Sequence, residues 1–195
     1  MEVTGIILAG GKSSRMGTEK GLVHLCGKPL ISFAISALSK VCNHIIISSS
    51  SEAYMTFGYQ VVADEFPGIG PLGGIFSTLR QSRTEHNLVL SCDMPFVTHE
   101  TLAFILQHSV GYEISVPWHR NCQYEPLCAF YHLSVLNRID DFIQQKKYKL
   151  VDLINSSKVN KLIISDKSVF FKEEVFFNVN SATDLTEAER RCSFN

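Results

Sequence analysis

The sequence predicts an α/β fold with a mostly parallel sheet covered by helices on both faces. Two observations predict it. Short β-branched and apolar runs alternate with segments whose apolar residues recur at helical spacing, the pattern of βα units. Glycines and acids collect just after those runs, and sheets of this kind bind ligands beyond the carboxyl ends of their strands. Gly10-Gly11-Lys12 follows the first run, Asp64 ends the third and Asp93 follows the fourth.

Taken in order, Val3 to Leu8 is an apolar run next to Gly10 and reads as a buried strand. Pro29 opens a helix on which Ile31, Ala34, Ile35 and Leu38 share a face. His44 to Ser48 is a second strand and Gln60 to Asp64 a third. Ile75 and Leu79 mark a helix after Gly74. Leu88 to Leu90 is a fourth strand, ending at Ser91-Cys92-Asp93. Thr98 is placed as an N-cap before the stripe Leu102, Ile105 and Leu106. Ile114 to Val116 is a fifth strand. After Trp118 the pattern weakens, with a strand over Leu127 to Tyr131, a helix over Leu133 to Gln145, a strand over Lys161 to Ile164 and a terminal helix over Ala182 to Arg190 capped by Ser181. With no repeat and no Pro/Gly/Ser-rich linker, the expectation is one domain over 1–195. A nucleotide-binding half spans about 1–110 and an acceptor half about 111–195.

Composition narrows the function classes. The chain has 195 residues, 45% of them hydrophobic, and 18 Lys+Arg against 19 Asp+Glu, for a net charge of −1. That is too apolar and too neutral for a disordered chain. It also has no basic excess for coating a nucleic-acid backbone. The short Ile6-Ile7-Leu8-Ala9 run is neither a signal sequence nor a membrane span. A cytoplasmic protein is expected, with no membrane or nucleic-acid partner. None of the six cysteines forms a C-x-x-C pair, so zinc and thioredoxin-like chemistry gain no support.

The richest stretch is Leu8 to Lys20, LAGGKSSRMGTEK. Gly10 and Gly11 let the backbone approach an anion and turn its N–H groups toward it. Arg15 and Lys20 supply the positive charge that a triphosphate needs, and charge-assisted contacts are the strong ones. A solvated glycine-rich turn has the same composition. Gly11-Lys12-Ser13 is not a P-loop, because the position of that motif's first glycine is Ile6. Gly68-Ile69-Gly70-Pro71-Leu72-Gly73 matches the dinucleotide fingerprint, but Pro71 removes a backbone donor from the cradle.

Leu8-Ala9-Gly10-Gly11, Arg15-Met16-Gly17 and Lys20 together resemble the signature of Mg-dependent nucleotidyltransferases with a three-layer Rossmann-like fold. Three further segments make the resemblance closest to the molybdenum cofactor guanylyltransferase family: Asp64 through Gly74 (DEFPGIGPLGG), Cys92 through Phe96 (CDMPF) and Phe177 through Ser181 (FNVNS). The resemblance implies transfer of GMP from GTP to molybdenum-bound molybdopterin, with release of pyrophosphate and Mg²⁺ as cofactor. By it, Leu8, Ala9, Gly10 and Gly11 contact the nucleotide, Lys20 binds its phosphates and Asp64 meets the nucleoside end. Gly73 helps shape the guanine pocket. Asp93 binds both GTP and Mg²⁺. Arg15, Lys20 and Asp93 are the catalytic set, and Asn178, Asn180 and Lys149 face the acceptor. It also implies partners that deliver the pterin cofactor and molybdoenzymes that receive the product. Two departures stand out. Ser48 to Ser51 replaces the Asn often found after the second strand, and Glu125 stands where a neutral Gln is common.

Chemically the set suits the reaction, which joins two anions and depends on positioning and charge neutralisation. Mg²⁺ prefers hard oxygen ligands, so one carboxylate plus substrate phosphates suffices. For Asp64, Asp93, Asn178 and Asn180, turn or cap chemistry is the competing account. A cytidylyltransferase, or a nucleotide-binding module without turnover, is the competing function.

Overall fold

Val3–Leu8 forms β1, all six residues of which are buried. A two-residue-per-strand hairpin follows, β2 (His24–Leu25) and β3 (Lys28–Pro29). β1 lies between β4 (His44–Ser48) and β6 (His86–Ser91), parallel to both, and β5 (Gln60–Val62) runs parallel along β4. β8 (Cys128–His132) is inserted antiparallel between β6 and β7 (Ile114–Trp118), and β9 (Val159–Ile163) lies parallel to β7. The seven-stranded order is β5-β4-β1-β6-β8-β7-β9. The structure is a computed structural model that describes residues 1–10, 19–118, 123–163 and 173–192.

Side chains alternate across each strand, so neighbouring residues feed opposite layers. Ile7, Leu88, Leu90, Cys128 and Phe130 pack with α1 (Leu30–Leu38) and α3 (His99–Gln107). Ile6, Leu8, Val89, Ala129 and Tyr131 pack with α2 (Pro71–Gln81), α4 (Leu136–Gln144) and α5 (Leu150–Ser156). The result is three layers, as expected. Each such Leu or Ile taken from water contributes about 1.5–3 kcal/mol, against the entropy of ordering it. A third cluster of Leu25, Leu30, Val179 and Ala188, with Phe96 and Phe177 beside it, joins the hairpin to α6 (Ala182–Cys192).

Several boundaries differ from expectation. The third strand stops at Val62, leaving Asp64 two residues beyond it, outside any regular element. The fourth and fifth strands extend to His86–Ser91 and Ile114–Trp118. The predicted helix over 133–145 divides into a 3-10 turn, Leu133–Val135, and α4. Pro29 sits before α1 as the end of β3, whereas Pro71 occupies the first turn of α2, where its missing N–H costs nothing. Thr98 caps α3 as expected, its hydroxyl accepting from the Thr101 N–H. The hairpin and α5 are too short to announce themselves by periodicity. Among the described residues no helix is long and apolar enough to cross a membrane.

This topology positions the site. The carboxyl ends of β1, β4, β6 and β7 share one edge of the sheet, and the antiparallel β8 brings its amino end to the same edge.

Candidate active site

The edge is locked by backbone bonds between strand ends. The Ala9 N–H donates to the Ser48 carbonyl at 3.0 Å, and the Cys92 N–H to the Leu8 carbonyl at 3.1 Å. Leu8 and Ala9 are buried, and Gly10 is exposed at the mouth. Gly11 and Arg15 lie outside the described residues. The chain is next described at Glu19, and Lys20–Leu22 makes a 3-10 turn. Tyr54, fully buried, ties that turn to the strand: its hydroxyl accepts from the Gly21 N–H at 3.2 Å and donates to the Ala9 carbonyl at 3.3 Å. Nothing in the local sequence around Tyr54 points to this role. Tyr54→Phe strands a buried donor and a buried acceptor, so a loss of about 1–3 kcal/mol is expected, read from urea unfolding.

Lys20 reaches two groups that lie far apart in sequence. Its Nζ is paired with Asp93 Oδ2, and it donates to Asn180 Oδ1 at 2.5 Å. Asp93 sits in the turn after β6, its side chain only 9% exposed. The Val179 N–H donates to the Asp93 carbonyl at 2.9 Å, which docks the segment before α6 against that turn. Asn180 is held in turn by its own N–H, which donates to Asp184 Oδ2 at 2.9 Å, while the Asp184 N–H donates to the Ser181 hydroxyl. Ser181 thus caps α6 as predicted. The Ser181 hydroxyl and then the Asn180 N–H hold the Asp184 carboxyl below the usual carboxylate range. Asn178 is turned locally instead, its amide donating to the Phe176 carbonyl at 3.0 Å. Lys149 is exposed just before α5, and no hydrogen bond or ion pair among the described residues links it to Lys20, Asp93 or Asn180.

The acids divide into two environments. Asp64 Oδ1 accepts from the Ser48 hydroxyl at 3.1 Å, so the serine that replaces the often-found Asn orients this carboxylate. Burial raises the Asp64 carboxyl, and the Ser48 hydrogen bond opposes that rise. α2 passes so close that a Cβ on Gly74 would lie 2.6 Å from the Ser48 Oγ and 3.3 Å from Asp64 Oδ1. A Cβ on Gly73 would meet the Phe66 carbonyl at 2.8 Å, and its N–H already donates to the Gly70 carbonyl at 3.1 Å. The glycine at 73 thus has a packing requirement of its own. On the other side of the edge, burial and then the charge of Asp93 push the Glu125 carboxyl up to about 7. Among the described residues, Asp93 Oδ1 is buried without a hydrogen-bond partner. No group of three or more His, Cys, Asp and Glu among them is arranged to hold a metal ion.

The arrangement offers an ammonium, a neutral amide oxygen and a buried carboxylate at the open end of a parallel sheet, beside a glycine-bearing strand end. Those are the parts for holding a phosphate chain and one hard cation. Comparison with known proteins points the same way. The family described as MobA-like NTP transferase domain matches residues 5–159. A protein of Pelotomaculum thermopropionicum named as a probable molybdenum cofactor guanylyltransferase is 35% identical over 190 residues, covering 96% of this chain and 92% of its own. One of the same name from Pyrococcus horikoshii is 37% identical over 193 residues, covering 95% and 98%. The crystal structure of molybdopterin-guanine dinucleotide biosynthesis protein A from Archaeoglobus fulgidus superposes with a TM-score of 0.81 at 28% identity, covering 98% of this chain and all of that one.

Proposed function

The chain belongs to the MobA-like NTP transferase family, and from that premise we propose that it transfers GMP from GTP to molybdenum-bound molybdopterin, forming molybdopterin guanine dinucleotide and pyrophosphate. The observation that carries the reading is the convergence of Lys20, Asp93 and Asn180 at the carboxyl edge of the sheet. An oxygen of the pterin's terminal phosphate attacks the α-phosphorus of GTP, and the bond to the β-phosphate oxygen breaks in line. No covalent nucleophile is needed, because the acceptor phosphate is already ionised.

Each residue then has a physical task. The backbone at Leu8, Ala9 and Gly10, with Gly11, follows the nucleotide, and Asp64 meets its nucleoside end. The Lys20 ammonium exchanges its contact with Asn180 for phosphate oxygens and neutralises charge that grows on the pyrophosphate. Arg15 adds a second cation from the same loop. Asn180 offers a neutral amide to the acceptor side, where a carboxylate would repel the pterin phosphate. Asn178 and Lys149 complete that side.

The donor set fits Mg²⁺: Asp93 Oδ1 is a buried, hard oxygen without a hydrogen-bond partner among the described residues. When bound, the ion screens the two reacting anions from each other. Asp93 would hold it together with substrate oxygens. On this reading the enzyme works in the cytoplasm, takes the pterin from a delivery protein and passes the product to molybdoenzymes.

The test is incubation of the purified protein with labelled GTP, Mg²⁺ and molybdenum-loaded pterin. The expected result is a labelled dinucleotide with one equivalent of pyrophosphate. Calorimetry is expected to show tighter binding of GTP than of CTP or ATP, and a clear preference for CTP would replace the guanylyl reading with the cytidylyl one.

A further inference from the structure

Tyr54 stands on the 3-10 helix Glu52–Phe57, which follows β4, and its side chain is fully buried. Its hydroxyl touches two backbones that belong to different parts of the site. It donates to the carbonyl of Ala9, the residue after β1, and accepts from the N–H of Gly21, the residue after Lys20. A phenol gives one proton and accepts on its oxygen, so both bonds are made at once. Burial raises the Tyr54 phenol above its usual range, so it keeps the proton that it donates.

The place of Gly21 is tight as well as bonded. A Cβ there would lie 2.8 Å from the Tyr54 Oη and 3.3 Å from the Cys92 Sγ. The turn that carries Lys20 is therefore wedged between the phenol and the neighbour of Asp93, and the Cys92 N–H is itself bonded to the Leu8 carbonyl at 3.1 Å. The end of β1, the end of β6 and the Lys20 turn thus meet around one side chain. The bond within the turn, from the Leu22 N–H to the Glu19 carbonyl at 3.0 Å, sets its shape rather than its place on the edge. A lysine ammonium is a point charge on a flexible stem, so where it can stand depends on where the stem begins.

We propose that Tyr54 is a positioning residue for nucleotidyl transfer: its hydroxyl sets the Lys20 turn beside the Ala9–Gly10 backbone, so that the ammonium meets the phosphate chain of a nucleotide lying along that backbone. It acts through Lys20 and touches no reacting atom. The inference deepens the guanylyltransferase reading and rests on it for the contact between Lys20 and the triphosphate.

Calorimetry on the full-length protein with Mg²⁺ compares GTP with GMP, at a temperature where circular dichroism shows each variant folded. Tyr54→Phe is expected to weaken GTP by about tenfold, the order of one hydrogen bond to a charged group, and GMP by less than about twofold. Added to Lys20→Met, which has no ammonium to place, the same substitution should cost no further GTP affinity, whereas independent sites would add. The pH profile of transfer should keep its shape in Tyr54→Phe, because this phenol moves no proton. A merely structural tyrosine lowers the melting temperature and leaves the ratio of GTP to GMP affinity untouched. That result, or a full further loss on the Lys20→Met background, overturns the inference. Gly21→Ala approaches the same contact from the other side. Its Cβ presses on the phenol oxygen and displaces the turn, so the same selective loss of GTP is expected, and an unchanged ratio there also overturns the inference. Failure of the guanylyl reading looks different: no labelled dinucleotide appears in the transfer assay, while the preference for triphosphate over monophosphate still falls in Tyr54→Phe.

Discussion

Asp93→Asn lowers the rate of GTP-dependent transfer by about 10³-fold and leaves the fold in place. The size follows from what the proposed reaction would lose: a buried anion paired with the Lys20 ammonium and assigned the divalent cation, for which single-group losses of about 10²–10³ are typical. The fold survives because the structural bond at this position is made by the backbone. The Asp93 carbonyl accepts from the Val179 N–H, and an Asn keeps both that carbonyl and the shape of the side chain. Pyrophosphate release measures the rate, and circular dichroism with a thermal melt checks the fold. Turnover equal to that of the unaltered protein would refute the assignment of Asp93.

Lys20→Met is expected to cost about 10²-fold in transfer and, unlike Asp93→Asn, to destabilise the protein as well. Met has similar length and no charge, so the phosphates lose their ammonium. In the metal-free protein the Asp93 carboxylate also loses its only described ion-pair partner while staying 9% exposed. Breaking one side of a buried pair leaves an uncompensated charge, whereas removing both sides does not. The double variant Lys20→Met with Asp93→Asn should therefore recover much of the stability lost in Lys20→Met and none of the activity. A melt of all four proteins reads the first half and pyrophosphate release the second. If the single and double variants melt alike, the pair does not carry this energy.

Much of the fold was legible because its signals are local. All seven strands of the sheet were found within about two residues by their apolar runs, the third ending at Val62 rather than at Asp64. Val3–Leu8 and His44–Ser48 needed no correction. Caps at Thr98 and Ser181 followed from one hydroxyl and the apolar stripe after it. Short elements escaped for the converse reason. The hairpin at 24–29 and the seven residues of α5 are shorter than the window in which a period can be seen.

The site divides along the same line. Lys20, Asp64, Asp93 and Asn180 were singled out because each stands in a motif that carries the family resemblance, and the structure brings Lys20, Asp93 and Asn180 together. Ser48 was noticed as a departure, and only its bond to the Asp64 carboxylate explains it. Tyr54 gave no signal at all, since a buried tyrosine looks like any other core residue until its hydroxyl is placed.

By themselves, residue order and residue type determined the layered α/β architecture and the family. Periodicity, caps and loop composition act over a few residues and survive without a third dimension. Only the tertiary structure decided that Asp93 and Asn180 meet at Lys20 and that Tyr54 ties Gly21 to Ala9. Those meetings arise because β1 and β6 end side by side and because burying Val179 and Ala188 against Leu25 and Leu30 folds α6 back onto the hairpin. Contacts of that range are set by which apolar surfaces find each other, and no local pattern in the chain encodes them.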